Sequence, residues 1–455
     1  NPLFQNLKGG VYMGKKDFAN ARASFNKALS LHPDYFPAIT NLARLDIQDK
    51  KPDVAKKRLE AVLKKDDKNI QAMNALASLA QSQGNVEEAT TWLELASSKN
   101  PDELQPAIQL TTHYLRTDKK KKALVLAQKL YGTYPNEPRV IEALGQTQLE
   151  NDNNAAALES YEKLAAKLPG SAQAQLQIAS IHAAMKNHSA ASMALKKALK
   201  LKPDYLEAQV AQIKLAVQDK NIKEALSLSK KIQTQHDKLP IGFMLEGDLL
   251  IQQQKPVLAL KAYEQALSIT QNGPLMIKMH VALSQTGKEK EANSRLTKWL
   301  NKHPNDSVSR LYLANNYLNK QQYDAAIEQY ELILQQHPEH GVTLNNLAWL
   351  YQQKKDPRAL EFAEKVYKQA PEAPAVLDTL GWILVTQGDI ERALPLLLKA
   401  TSLAPDTTEI QYHYAFALVK SGDKIKARSV LEKLLASGKP FPMINEVKAL
   451  LAQIQ

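Results

Sequence analysis

Alanine occupies one place thirteen times running, at Ala21, Ala55, Ala89, Ala123, Ala157, Ala191, Ala225, Ala259, Ala292, Ala326, Ala359, Ala393 and Ala427. Ten of the twelve intervals are 34 residues and two are 33. Proline follows twelve residues behind, at Pro33, Pro101, Pro135, Pro169, Pro203, Pro304, Pro338, Pro371 and Pro405, and Asp67, Asp237 and Gln271 stand where that column lapses. A fixed period of this length means a stack of supersecondary units, none of which can bury its apolar face alone.

Within the unit Phe36–Asn69, Ile39, Leu42, Ala43 and Ile47 recur at helical spacing. Asp49 to Asp53 break the pattern, and Val54, Ala55, Leu59, Val62 and Leu63 restart it. This predicts two amphipathic helices joined by a tight turn. Gly84, Gly287, Gly388 and Gly422 occupy or adjoin that turn in other units, and the proline column is expected to mark the start of the next helix. A second small column runs through Gly9, Ala43, Ala77, Gly145, Ala179, Gly247, Ala314, Ala348, Gly381 and Ala415. Bulky Phe25, Leu93, Tyr161, Tyr263, Tyr330 and Leu397 follow the alanine column by four. Small against large lets two antiparallel helices interdigitate closely.

A 34-residue helix-turn-helix unit with small eighth and twentieth places, an aromatic residue or leucine at the twenty-fourth and a proline near its end resembles a tetratricopeptide (TPR) repeat. The resemblance covers residues 2–441 in thirteen units. It implies an all-α, right-handed TPR superhelix, an α-solenoid. Repeats 1–7 span residues 2–239, repeats 8–13 span 240–441, and 442–455 read as a C-terminal capping helix in one continuous array. The runs Asn345–Leu350, Val376–Trp382 and Ser437–Phe441 also resemble the tail of the TPR lipoproteins found with PEP-CTERM sorting (exosortase) systems and exopolysaccharide synthesis (PrsT-like). That resemblance implies a periplasmic lipoprotein whose anchor lies outside this sequence. The alternative is a cytoplasmic adaptor or co-chaperone, or the repeat portion of a larger enzyme such as a glycosyltransferase. Since the chain opens at Asn1 with no signal peptide, further sequence is expected upstream.

No stretch approaches the length of a membrane-spanning helix, and the absence of cysteine excludes disulfides and thiolate metal sites. Of the net charge of +12, residues 1–240 carry +10 and residues 241–455 carry +2. The lysine clusters, Lys119 to Lys122 among them, fall in turns or on second helices, where a solvated face is the simplest explanation. Weak attraction to an anionic membrane or an acidic polysaccharide is the alternative. Nothing matches a nucleic-acid-binding pattern. His32, His303 and His337 each precede a proline of the column and so are one structural position seen three times. No metal constellation, phosphate loop or catalytic arrangement is found, so neither enzyme activity nor a cofactor is expected.

The TPR resemblance places the second, fifth, ninth and twelfth residues of each unit on an inward groove. Units 3 to 6 are largely polar there, with Ile108 and Leu176 as apolar exceptions. Units 10 to 13 carry Asn315, Trp349, Trp382 and Phe416 at the ninth place, with Asn345, Asp378 and Tyr412 at the fifth. These seven are the candidate ligand-binding residues. An aromatic row with polar flanks suits an extended peptide of a protein partner, or a polysaccharide; the competing reading is packing between neighbouring first helices. Units 7 to 9 are expected to be irregular, with Ile213 and Val281 replacing the small residue and Ser229 the bulky one.

Overall fold

The computed structural model describes residues 1–436, 441 and 443–454, and the regular structure among them is entirely helical. The chain divides into two compact units, Asn1–Leu228 and Ser229–Gln455. The first contains α1 (Pro2–Gly14), α2 (Phe18–Leu31), α3 (Phe36–Gln48), α4 (Pro52–Leu63), α5 (Ile70–Ser82), α6 (Val86–Lys99) and α7 (Leu104–Arg116). It continues through α8 (Lys120–Thr133), α9 (Pro138–Glu150), α10 (Asn154–Lys167), α11 (Ala172–Ala184), α12 (His188–Leu201) and α13 (Leu206–Gln218). The division falls inside α14 (Ile222–Gln235). The second unit holds α15 (Ile241–Gln252), α16 (Pro256–Ile269), α17 (Gly273–Gln285), α18 (Glu289–Lys302), α19 (Ser307–Asn319) and α20 (Tyr323–Gln336). It ends with α21 (Gly341–Gln353), α22 (Arg358–Gln369), α23 (Pro374–Gln387), α24 (Ile390–Leu403), α25 (Thr408–Ser421), α26 (Lys424–Ala436) and α27 (Ile444–Gln453).

Odd-numbered helices are the first helices of successive repeats and even-numbered ones the second, with α27 as the cap. The alanine column explains the close approach: none of its thirteen members is more than 1% exposed. The small eighth place answers the bulky twenty-fourth of the same repeat. A Cβ added to Gly145 would lie 2.8 Å from the Tyr161 ring, and one on Gly381 would lie 2.6 Å from Leu397. Added to Gly9 or Gly247, it would penetrate Phe25 or Tyr263 more deeply still. Asparagine and aspartate start many second helices. Asn85, for example, accepts from the Glu88 backbone N–H and donates to its carboxylate. The cap helix closes the apolar end by setting Val447, Leu450 and Ile454 against Ala427, Leu431 and Leu434.

Each repeat from the first to the thirteenth turns on one left-handed residue, seven positions after the small one. Four of these are the glycines named above. The other nine are Lys16, Lys50, Asp118, Asp152, Lys186, Lys220, Gln254, Gln321 and Lys355. This register corrects two expectations. In the ninth repeat the eighth place belongs to His280, seven before Gly287, and not to Val281. The shift follows from a connection between α16 and α17 that is one residue shorter than its counterpart between α6 and α7. The proline column, in turn, stops the second helix rather than starting the next: Pro33 follows the α2 cap residue His32 and lies three residues before α3 begins. Ile213 and Ser229 are both buried. Of the run Ser437–Phe441 only Phe441 lies within the described residues, as does most of 442–455.

Candidate functional site

Four of the seven candidate residues meet in one cluster on α23 and α25. His413 Nδ1 lies 2.9 and 3.1 Å from the two Asp378 carboxylate oxygens. The His413 ring stacks on Trp382 at 4.1 Å, and Phe416 meets Trp382 edge-on at 5.3 Å. Tyr412 sits 6.2 Å from Phe416, its phenol pushed up by burial and then by the charge of Glu446. Trp349 stands apart, half-buried and edge-on to Tyr323 of α20 at 5.7 Å. Asn315 accepts from the buried Tyr330 hydroxyl, which accepts in turn from Asn346 at 2.9 Å. Burial pushes that phenol up to about 12, with the Asn346 hydrogen bond opposing the shift. Asp248, Tyr263 and Lys278 repeat this arrangement two repeats earlier, with Asp248 accepting from both partners. Asn345 meets none of the other candidates in a hydrogen bond, and its buried Oδ1 has no partner among the described residues.

His413 was not among the residues singled out from sequence, yet it organises the cluster. It stands 35 residues after Asp378, joining the fifth place of one repeat to the sixth of the next. The same rung recurs as Asn41 to Asn6 at 3.0 Å and Asn74 to Gln109 at 2.9 Å. At Asn6, Asn74 and Asp378 the fifth-place side chain therefore bridges neighbouring first helices. A filled rung narrows the space beside it without closing it: about 330 Å³ stays open between α5 and α7, next to Asn74 and Gln109.

Between α11 and α13 the equivalent pair is Leu176 and Ala211, which has neither hydrogen-bonding groups nor bulk enough to span the gap. An open groove of about 560 Å³ results. Leu176, Ala183, Leu206, Val210 and Ala211 give it apolar walls, and Leu195 of α12 contributes to its floor. The Ser180 hydroxyl is turned back onto the Leu176 carbonyl at 3.0 Å. Tyr205, the residue before α13, donates to Gln173 in the first turn of α11 and ties the two helices together at that end. Glu207 and Lys214 stand exposed at the α13 edge, and neither forms an ion pair among the described residues. A second groove of about 320 Å³ lies between α3 and α5, where the sixth-place residue is again alanine, Ala75. Of these three spaces between first helices, the one beside Leu176 and Ala211 is the most voluminous and exposes the most apolar surface, whereas that between α5 and α7 is lined by Asn74, Gln81, Gln105 and Gln109. Among the described residues no group of three or more metal-binding side chains gathers, and no helix is long and apolar enough to cross a membrane.

Several solved structures are similar to this chain. The crystal structure of yeast Tom70 is similar over 93% of this chain and 96% of its own, at 16% identity and a TM-score of 0.44. A tetratricopeptide repeat protein from Parabacteroides merdae covers 54% of this chain with 97% of its own, at 16% identity and a TM-score of 0.41. YrrB, described as a TPR protein with an unusual peptide-binding site, covers 41% with 97% of its own, at 20% identity and a TM-score of 0.33. These are likenesses of fold alone. No curated protein matches the sequence. Tetratricopeptide-repeat family models match residues 12–79, 47–113, 172–205, 311–374 and 384–454, together more than half of the chain. The chain is a tetratricopeptide-repeat protein.

Proposed function

We propose that the chain is a non-enzymatic binding scaffold that takes an extended peptide segment of a partner protein on its first helices, in the groove between α11 and α13. One observation carries this reading. The Leu176–Ala211 pair leaves about 560 Å³ of largely apolar space where other repeats place a rung. Grooves of this size, with apolar walls and a few polar groups at the edge, suit the burial of several ligand side chains. The cluster around Trp382 is less open, because its polar groups already satisfy one another. The test is panning of a displayed random-peptide library on the wild-type protein and on Ala211→Phe, which fills the groove without touching the alanine column. Peptides enriched on the wild type and lost on the variant support the reading. Equal enrichment on both would sink it.

The setting we propose is the exopolysaccharide and PEP-CTERM sorting apparatus of a bacterium, with the protein held on the periplasmic side by a lipid anchor. The runs Asn345–Leu350 and Val376–Trp382 support it through their resemblance to that lipoprotein family. Mass spectrometry of the native protein's mature N-terminus checks the anchor. A lipid-modified cysteine is expected, and an unmodified N-terminus on a cytoplasmic protein would contradict the proposal.

A further inference from the structure

The helices α11 and α13 carry little charge, as several other first helices do. Across their 26 residues, thirteen in each, they carry one acid, Glu207, and one base, Lys214, in a chain that is 23% charged. Both stand on α13 among the residues that line the groove, and both are exposed. The α11 wall contributes no Asp, Glu, Lys or Arg. The groove therefore has an apolar interior and one edge bearing a negative and a positive charge seven residues apart. Seven residues are two helical turns, so the charges lie on one stripe about 10.5 Å apart along the axis. Neither is neutralised by an ion pair within the described protein.

We infer that the groove selects peptide segments in polyproline-II conformation that carry a basic and an acidic residue three positions apart with an apolar residue between them. This rests on reading the groove as a peptide site. In that conformation residues i and i+3 lie on the same edge of the peptide, about 9 Å apart. That is close enough to the spacing of Glu207 and Lys214 for two flexible side chains to pair with both. The adjoining edge of the peptide then turns its apolar side chain towards Leu176, Val210 and Ala211. A β-strand fits less well, since its i and i+3 side chains point to opposite faces. A whole helix is too wide for a space of this volume. Charge at the edge acts mainly on selection, while apolar burial supplies the larger share of affinity.

The test uses the full chain and fluorescein-labelled proline-rich peptides read by anisotropy. Two carry the zwitterionic cores Lys-Leu-Pro-Glu and Glu-Leu-Pro-Lys; two carry Glu-Leu-Pro-Glu and Lys-Leu-Pro-Lys. The better zwitterion should bind the wild type about fivefold to tenfold more tightly than either like-charged peptide. Glu207→Lys should transfer the preference to Glu-Leu-Pro-Glu, and Lys214→Glu should transfer it to Lys-Leu-Pro-Lys. Both positions are exposed, so both variants are expected to melt with the wild type. If all four peptides bind alike and all are lost on Ala211→Phe, the groove stands and the charge pairing is wrong. If Ala211→Phe binds as the wild type does, the peptide site itself is misplaced. Failure of all four peptides to bind overturns this inference, while the library panning still decides the broader reading.

Discussion

Replacing Lys16, Lys50 and Lys186 with glycine should stabilise the first unit. All three turn their repeats in the left-handed region, with φ of 62°, 59° and 60°. An L-residue pays about 1–2 kcal/mol there through the clash of Cβ with the following carbonyl. Glycine avoids the clash but adds unfolded-state entropy worth about 0.4–1 kcal/mol. The net gain is about 0.5–1 kcal/mol per site. None of these three side chains makes a hydrogen bond or ion pair among the described residues, and Gly84 already fills the same turn in the third repeat. The sites lie in separate repeats, so the effects should nearly add, giving about 1.5–3 kcal/mol for the triple variant. Urea unfolding followed by circular dichroism reads this as a higher midpoint at unchanged slope. A triple variant no more stable than wild type would refute the strain argument. The mirror change, Gly84→Ala, should lower the midpoint.

Gly247→Ala should cost about 1–3 kcal/mol, because its new methyl group must displace the Tyr263 ring; Tyr263→Leu should recover much of the loss, and a neutral single variant would show that the ring yields freely. Trp382→Ala should cost about 2 kcal/mol of stability through lost packing on His413 and Phe416, while leaving binding in the α11–α13 groove unchanged. An unaltered melting temperature with lost peptide binding would instead make Trp382 a ligand contact. His113 is buried, accepting from the Gln81 amide at Nδ1 and donating from Nε2 to Thr90, and burial holds its pKa below the ordinary 6.5, followed by the charges of Lys119 and Arg116. The unfolded chain therefore binds the extra proton first, so stability should fall as pH drops below about 6.5 towards the lower folded value. His113→Gln should flatten that decline between pH 7.5 and 5; an equally steep decline would place its cause elsewhere.

The fold was legible because its constraint repeats. Ala21 and its twelve successors must be small to let two helices meet, and Gly247 must be smaller where Tyr263 is large. The left-handed turns were legible only at the four glycines. Lysine at Lys50 or Lys186 carries no local mark of a left-handed backbone, which the repeat geometry imposes. In the ninth repeat, counting 34 residues forward pointed to Val281, because a residue missing from a connecting turn moves His280 into place; the same missing residue shortens the Ala259–Ala292 interval to 33. The candidate site was only half legible. Sequence spacing put Trp382 and Phe416 at one place of neighbouring repeats, and their rings touch, but it could not show that His413 lies between Asp378 and Trp382. The α11–α13 groove is a missing contact, and it becomes visible only once the 35-residue rung is known. Leu176 had already stood out as an apolar exception.

Hydrogen exchange on the full chain, with and without a library-selected peptide, tests the central claim most directly. Binding between first helices should slow exchange in α11 and α13, residues 172–184 and 206–218, and leave α23 and α25 at their free-state rates. Protection concentrated at residues 374–387 and 408–421, around Trp382 and Phe416, with α11 and α13 unchanged, would contradict the account.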